Sequence, residues 1–225
     1  MNLIHYLDAF FSDPAQWSGP DGIPTRLLEH IKYTAEALAL ATLIAFPLGM
    51  LTGHTNRGGF IVVNFANAAR ALPTFGVVVL VAITISVGLL PVIIALIALA
   101  IPPILVNTYE GIRQVDADLA DASKGMGMTG WQVLGRVELP VATPLILLGL
   151  RTAAIQTVST ATIAAIVSVG GLGTFILNGL ARHDYRLVVG GATIVALLAV
   201  ATELVFVVAG RFLVSPGLRS RSTDL

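Results

Sequence analysis

The sequence contains no cysteine. A disulfide framework, a thiolate metal site and a cysteine nucleophile are therefore excluded, and the composition does not report a redox compartment. Charge is scarce as well. Asp, Glu, Lys and Arg make up 12% of the 225 residues, against about 25% in an average soluble domain. The charge that exists is balanced, with 13 basic and 13 acidic side chains. Nucleic acid is not an expected partner, because binding phosphates needs a clustered basic surface. The histidines His5, His30, His54 and His183 are scattered, and none has metal-ligand spacing. No metal site and no catalytic residue is expected. An intramembrane protease would need serine and histidine facing each other inside the membrane, and no histidine lies well inside an apolar run.

Apolar residues fill the space that charge leaves. They reach 56% of the chain, and the mean hydropathy is +0.87. Disorder needs the opposite composition, and a soluble globular domain is equally excluded. The expected fold class is an all-α polytopic membrane protein. A spanning helix needs about 20 mostly apolar residues, and the gaps between charges locate them. Residues 37–53 carry no charge and, extended back to Ile31, give a first span. Residues 71–109 carry none either, with the turn residues Gly88 and Pro91 in the middle. They predict two helices, 71–88 and 91–108, joined by a tight hairpin. A fourth span is expected over 143–167, followed by the Gly-rich SVGGLG and a short amphipathic piece, and a fifth over 188–211. These runs are continuously apolar, whereas strands of a membrane barrel alternate with period two.

The first eleven residues, MNLIHYLDAFF, have no basic n-region and no small-residue cleavage site, so they do not read as a signal peptide. Leu3, Ile4, Leu7, Phe10 and Phe11 recur at helical spacing and predict a helix lying on the membrane surface. The expected organisation is an N-terminal interfacial segment (1–30), a five-helix region (31–213) and a cytoplasmic tail (214–225). Basic residues set the orientation. Eight of them (Arg57, Arg70, Arg113, Lys124, Arg136, Arg211, Arg219, Arg221) fall on one side of the predicted spans, and four (Arg26, Lys32, Arg182, Arg186) on the other. The larger set marks the cytoplasm and leaves the N-terminus outside.

One polar segment, 108–142, is too long for a simple connection and carries eight charged residues. Asp116 or Asp118 can cap a helix starting near Leu119, with Leu119, Ala122, Ser123 and Met126 on one face. Gly125 and Gly127 can end it. Thr129 and Gln132 have the spacing of a capping box for a second short helix that Pro140 should break. A face of Ala and Ser lets another surface approach closely, as a docking element requires. In the fourth predicted span Thr152, Gln156, Ser159 and Thr160 recur on one face. That stripe either lines a water-filled path or bonds neighbouring helices. Glu36, Arg151 and Glu203 are ionisable groups in or near apolar runs, and Glu203 is expected to pair with a basic group. Pro47 and the pair Pro102-Pro103 should bend the first and third spans.

Asp121-Ala122-Ser123, three residues, Gly127, nine residues, Val137-Glu138-Leu139-Pro140 matches the coupling-loop signature of ABC importer permeases in every spacing. That signature reads Glu-Ala-Ala, three residues, Gly, nine residues, Ile-x-Leu-Pro; the departures are Asp for Glu, Ser for Ala and Val for Ile. The flanking stretch 107–154, GGLG at 170–173 and residues 27–51 resemble the permeases that import glycine betaine, choline, carnitine and proline-type osmoprotectants. The resemblance implies a methionine-importer-like core of five helices. It also implies pairing with a second permease copy or paralogue, and docking of the coupling residues (Leu119, Asp121, Ala122, Ser123, Met126, Gly127, Leu139, Pro140) onto a cytoplasmic ATPase dimer. An extracytoplasmic binding protein would deliver the solute, and the complex would sit in the inner or plasma membrane of a prokaryote. No G-x-x-x-x-G-K-[ST] phosphate loop is present, so ATP and Mg are expected on the partner chain, with no cofactor here and no enzyme activity of its own. The residues proposed for the path are Thr152, Gln156, Ser159 and Thr160. The chain is 7% aromatic with no Trp/Tyr cluster, which suits a permease without a high-affinity cation–π cage. An amino-acid importer permease of the methionine type is the alternative, and a plain membrane scaffold would not need the coupling-loop spacing.

Overall fold

A computed structural model describes residues 2–215, apart from the side chain of Asn67. The tail beyond residue 215, with Arg219 and Arg221, lies outside the described residues. The described chain is helical: α1 Leu3–Phe11, α2 Ile23–Thr55, α3 Gly59–Ala71, α4 Thr74–Thr84, α5 Leu89–Arg113, α6 Ala117–Gly125, α7 Gly130–Val133, α8 Leu139–Thr160, α9 Gly173–Ala181 and α10 Tyr185–Leu213. Four stretches are long and apolar enough to cross a membrane, or five if the bent pair α3–α4 makes one span.

The charge gaps found the spans but not their full lengths. α2 runs 33 residues, about 50 Å at 1.5 Å per residue, so it outreaches a hydrocarbon core of about 30 Å. Its charged first turns had hidden that extension. The second span differs more. Helix begins at Gly59, not at residue 71, and breaks at Leu72-Pro73 before α4. Arg70 therefore lies in the last turn of helix α3 and not in a connection. The break follows from Pro73, which disfavours helical backbone at the residue before it and stands at the N-cap of α4. The hairpin at Gly88 is present, with φ +136. α5 continues through Pro102 and Pro103 to Arg113.

The expected break at Pro140 is not there. Residues Leu134–Glu138 form a π-helical turn that carries α7 directly into α8. The wider turn, with Leu139 N–H bonded to the Leu134 carbonyl, makes room for a proline ring and its missing donor.

The described chain divides into two compact units, and the division falls within α2, α5, α8 and α10. The first unit holds the chain up to Leu40, with Leu72–Leu99 and Ala154–Thr202. Here Tyr33 and Ala37 of α2 pack with Val92 and Leu96 of α5 and with Ala161 and Ala164. Phe10 of α1 is buried edge-on to Phe175 at 5.5 Å and sits over Gly190. So α1 is anchored in this unit by Phe10, while its Leu3 and Ile4 stay exposed.

The second unit holds Ala41–Ala71, Ala100–Ala153 and the chain from Glu203. Gly49 and Gly53 bring α2 against α5. A Cβ at Gly49 would stand 2.7 Å from Thr108 Cβ, and one at Gly53 2.8 Å from Ile112 Cβ. Small residues four apart allow this close approach in a membrane, where packing replaces hydrophobic drive. Ile112, Leu134, Ala142 and Ile146 form the adjoining core, with Phe46 and Leu139 against it.

Candidate coupling loop and translocation path

The loop between α5 and α8 is built by local capping. Asp116 caps α6, its carboxylate accepting the Asp118 N–H at 2.9 Å, so the helix starts two residues earlier than Leu119. Its last turn is closed by Gly127, whose N–H donates to the Lys124 carbonyl at 2.9 Å. Gly127 has φ +88, a backbone state that costs an L-residue roughly 1–2 kcal/mol. The capping box opens α7, with Gln132 Oε1 accepting the Thr129 N–H at 2.8 Å.

The structure separates the predicted docking residues. Leu119, Ala122, Met126 and Gly127 are exposed, Met126 by 78%. Asp121 is exposed too and pairs with Lys124 at 3.2 Å. Ser123 is buried, its hydroxyl donating to the Leu119 carbonyl at 2.8 Å, so it shapes the loop from inside. Leu139 belongs to the core beneath, and Pro140 is exposed in the first turn of α8.

Three residues that the sequence reading did not assign fix this loop. His54, at the end of α2, is hydrogen-bonded through Nδ1 to Glu138 Oε2 at 2.6 Å. Glu138 is buried in the π turn. The His54 ring stacks on Trp131, with centroids 6.4 Å apart and planes at 26°. Trp131 is 71% exposed, an unusual placement for a large aromatic. Only the Trp itself, in a polar loop, signalled this in the sequence.

Along α8, Gln156 and Ser159 are exposed while Thr152 and Thr160 are half-buried. Within the described chain the stripe is therefore a partly exposed face of the helix. Directly after it the helix tightens to a 3-10 stretch, Ala161–Val167. The chain then turns through Ser168, Gly170 and Gly171, all with positive φ.

Three α2 residues brace that turn. Glu29 Oε2 accepts the Gly171 N–H at 2.8 Å and pairs with Arg26 at 2.7 Å. The Tyr33 hydroxyl donates to the Val169 carbonyl at 2.7 Å. His30 is fully buried. Its Nε2 lies 2.8 Å from the Val158 carbonyl and its Nδ1 3.3 Å from the Leu172 N. A carbonyl only accepts and an N–H only donates, so the proton sits on Nε2.

The two ionisable groups inside spans find each other. Arg151 of α8 forms a two-pronged pair with Glu203 of α10. Two lone charges of opposite sign in separate apolar runs were the signal for it. Glu36 is met by Lys32 one turn earlier, at 3.9 Å.

These features define the class, a multi-span helical membrane protein with an exposed helix–turn–helix between two of its spans and a polar face on the next. Residues 45–220 match the family of binding-protein-dependent transport system inner membrane components, and the chain belongs to that family. It is 36% identical over 191 residues to the glycine betaine/carnitine/choline transport system permease protein OpuCB of Bacillus subtilis, covering 85% of this chain and 88% of that one. It is 32% identical over 208 residues to the osmoprotectant import permease protein OsmW of Salmonella typhimurium, covering 90% and 93%. Among solved structures, an inward-facing methionine ABC transporter MetNI shares the fold, with a TM-score of 0.75 at 22% identity over 91% of this chain and all of that one.

Proposed function

We propose that this chain is the translocation subunit of an ATP-driven importer for a compatible solute of the glycine betaine, carnitine or choline type. The observation that carries the reading is the coupling-loop spacing of residues 121–140 in a chain whose relatives bear osmoprotectant names over most of their length. The MetNI likeness, at 22% identity, speaks for the fold and not for methionine as the solute.

In this reading a separate ATPase dimer binds ATP and Mg and receives α6 and its exposed Leu119, Ala122 and Met126. The N-terminus is outside and the loop cytoplasmic, in keeping with an asymmetry of basic residues that stays seven to four once Arg70 is placed within α3. A pull on α6 reaches α8 through the π turn, and it reaches α2 through the His54–Glu138 bond. An extracytoplasmic binding protein selects the solute, and a second permease chain completes the path with the Thr152–Thr160 face.

The test is uptake into proteoliposomes carrying this chain with its ATPase and binding protein. ATP-dependent accumulation of glycine betaine or choline, and none of methionine, is the expected result. Accumulation of methionine alone would overturn the solute assignment.

A further inference from the structure

We infer that the Arg151–Glu203 pair is a transit site for zwitterionic solutes, at which the ion pair opens and each side chain takes the opposite charge of the solute. The inference rests on the importer reading above. A groove of about 450 Å³ lies between α8 and α10, lined by Leu148, Arg151, Phe206, Val207, Gly210 and Arg211 among others. Most of its wall is apolar, and two guanidinium groups are its charged features. Gly210 leaves open space, since a Cβ there meets nothing within 4 Å.

One feature separates this pair from a purely architectural one. It is not sealed: 40% of the Arg151 side chain and 28% of that of Glu203 are exposed. Ionisable groups at membrane depth concentrate on solute and ion pathways.

The chemistry suits passage better than retention. With the site empty, each charge compensates the other, so no buried charge stands alone. With a zwitterion present, its carboxylate takes Arg151 bidentately and its cationic end faces the freed Glu203 carboxylate. Phe206, one turn beyond Glu203 on α10, offers a ring to N-methyl groups. One ion pair is exchanged for two others, so the net gain is small and the solute can leave.

The test uses the assembled complex of this chain with its ATPase and binding protein. Arg151→Gln/Glu203→Gln removes both charges together and leaves neither uncompensated. The expected result is at least a tenfold lower glycine betaine uptake, with ATPase binding, basal ATP hydrolysis and thermal midpoint kept. Arg151→Lys, which restores a cation, should recover part of the rate. In the wild-type complex, saturating glycine betaine should change the rate at which a hydrophobic carbodiimide modifies Glu203 severalfold, and sucrose should not. Wild-type uptake by the double variant, or loss of assembly in step with uptake, would overturn the inference, as would modification of Glu203 indifferent to glycine betaine. If the wild type takes up no glycine betaine, the solute assignment fails instead. The same modification assay with the zwitterion that is transported then decides the role of the pair.

Discussion

Replacing His30 with Leu isolates what the α2 brace contributes. The imidazole is fully buried and makes two bonds, to the Val158 carbonyl at 2.8 Å and from the Leu172 N–H at 3.3 Å. Leucine fills similar space but offers neither partner. The Leu172 N–H lies in a turn between a 3-10 stretch and α9, where no helical carbonyl replaces the ring. An unsatisfied buried donor costs about 1–3 kcal/mol, and the lost bond to Val158 adds about 1, giving roughly 2–4 kcal/mol. For a chain of this size each kcal/mol moves the thermal midpoint by roughly 2–4 °C, so His30→Leu should lower it by about 4–16 °C. His30→Gln keeps one donor and one acceptor and should recover part of that loss. The measurement is thermal unfolding of the purified subunit in nanodiscs for the three proteins. A midpoint for His30→Leu within about 2 °C of wild type would refute the reasoning, since it would place the effect below that of one unsatisfied donor.

The native chain has no cysteine, so single cysteines report topology cleanly. Thr129→Cys should react with an impermeant maleimide only after permeabilisation, and Asp184→Cys from outside; the reverse pattern would invert the orientation. Gln156→Leu/Ser159→Leu, on the exposed face of α8, should lower uptake without lowering assembly, and parallel loss of both would make the stripe a packing element. Ala122 is exposed, so Ala122→Trp should leave the subunit folded and weaken ATPase pull-down by roughly five- to a hundredfold, the 1–3 kcal/mol typical of overpacking. Ser123→Trp, at a buried position, should instead disturb the loop and lower the subunit's own thermal midpoint.

Composition and charge gaps were enough to read the class and most spans, because a bilayer demands long apolar helices and little else satisfies that demand. They erred where a span carries charge. Arg70 hid α3, and Arg26, Glu29 and Lys32 hid the first turns of α2. Charge ends an apolar run in the sequence, but a helix continues wherever a partner or the interface receives that charge. Arg26 illustrates this, as it is held by both Asp21 and Glu29. Pro140 misled in the opposite way. Here a π turn absorbs the ring and its missing donor.

The candidate site was legible as far as local spacing reaches. The caps of the loop, the turn at Gly127 and the stripe on α8 follow from residues three or four apart. What escaped were bonds across the chain: His54 to Glu138 is 84 residues in sequence and Tyr33 to Val169 is 136, while for Arg151 and Glu203, 52 apart, a basic partner for Glu203 was expected but not named. Each joins one spanning helix to a segment distant in the sequence. α2 carries one such bond at its loop end, through His54, and others near its start, through Glu29, His30 and Tyr33. Hydrogen bonds in an apolar medium are geometrically demanding and few, so a helix tied this way favours discrete arrangements over gradual bending. A subunit that couples a nucleotide cycle to an opening path needs that property, and the polar side chains in these spans are where the sequence supplies it.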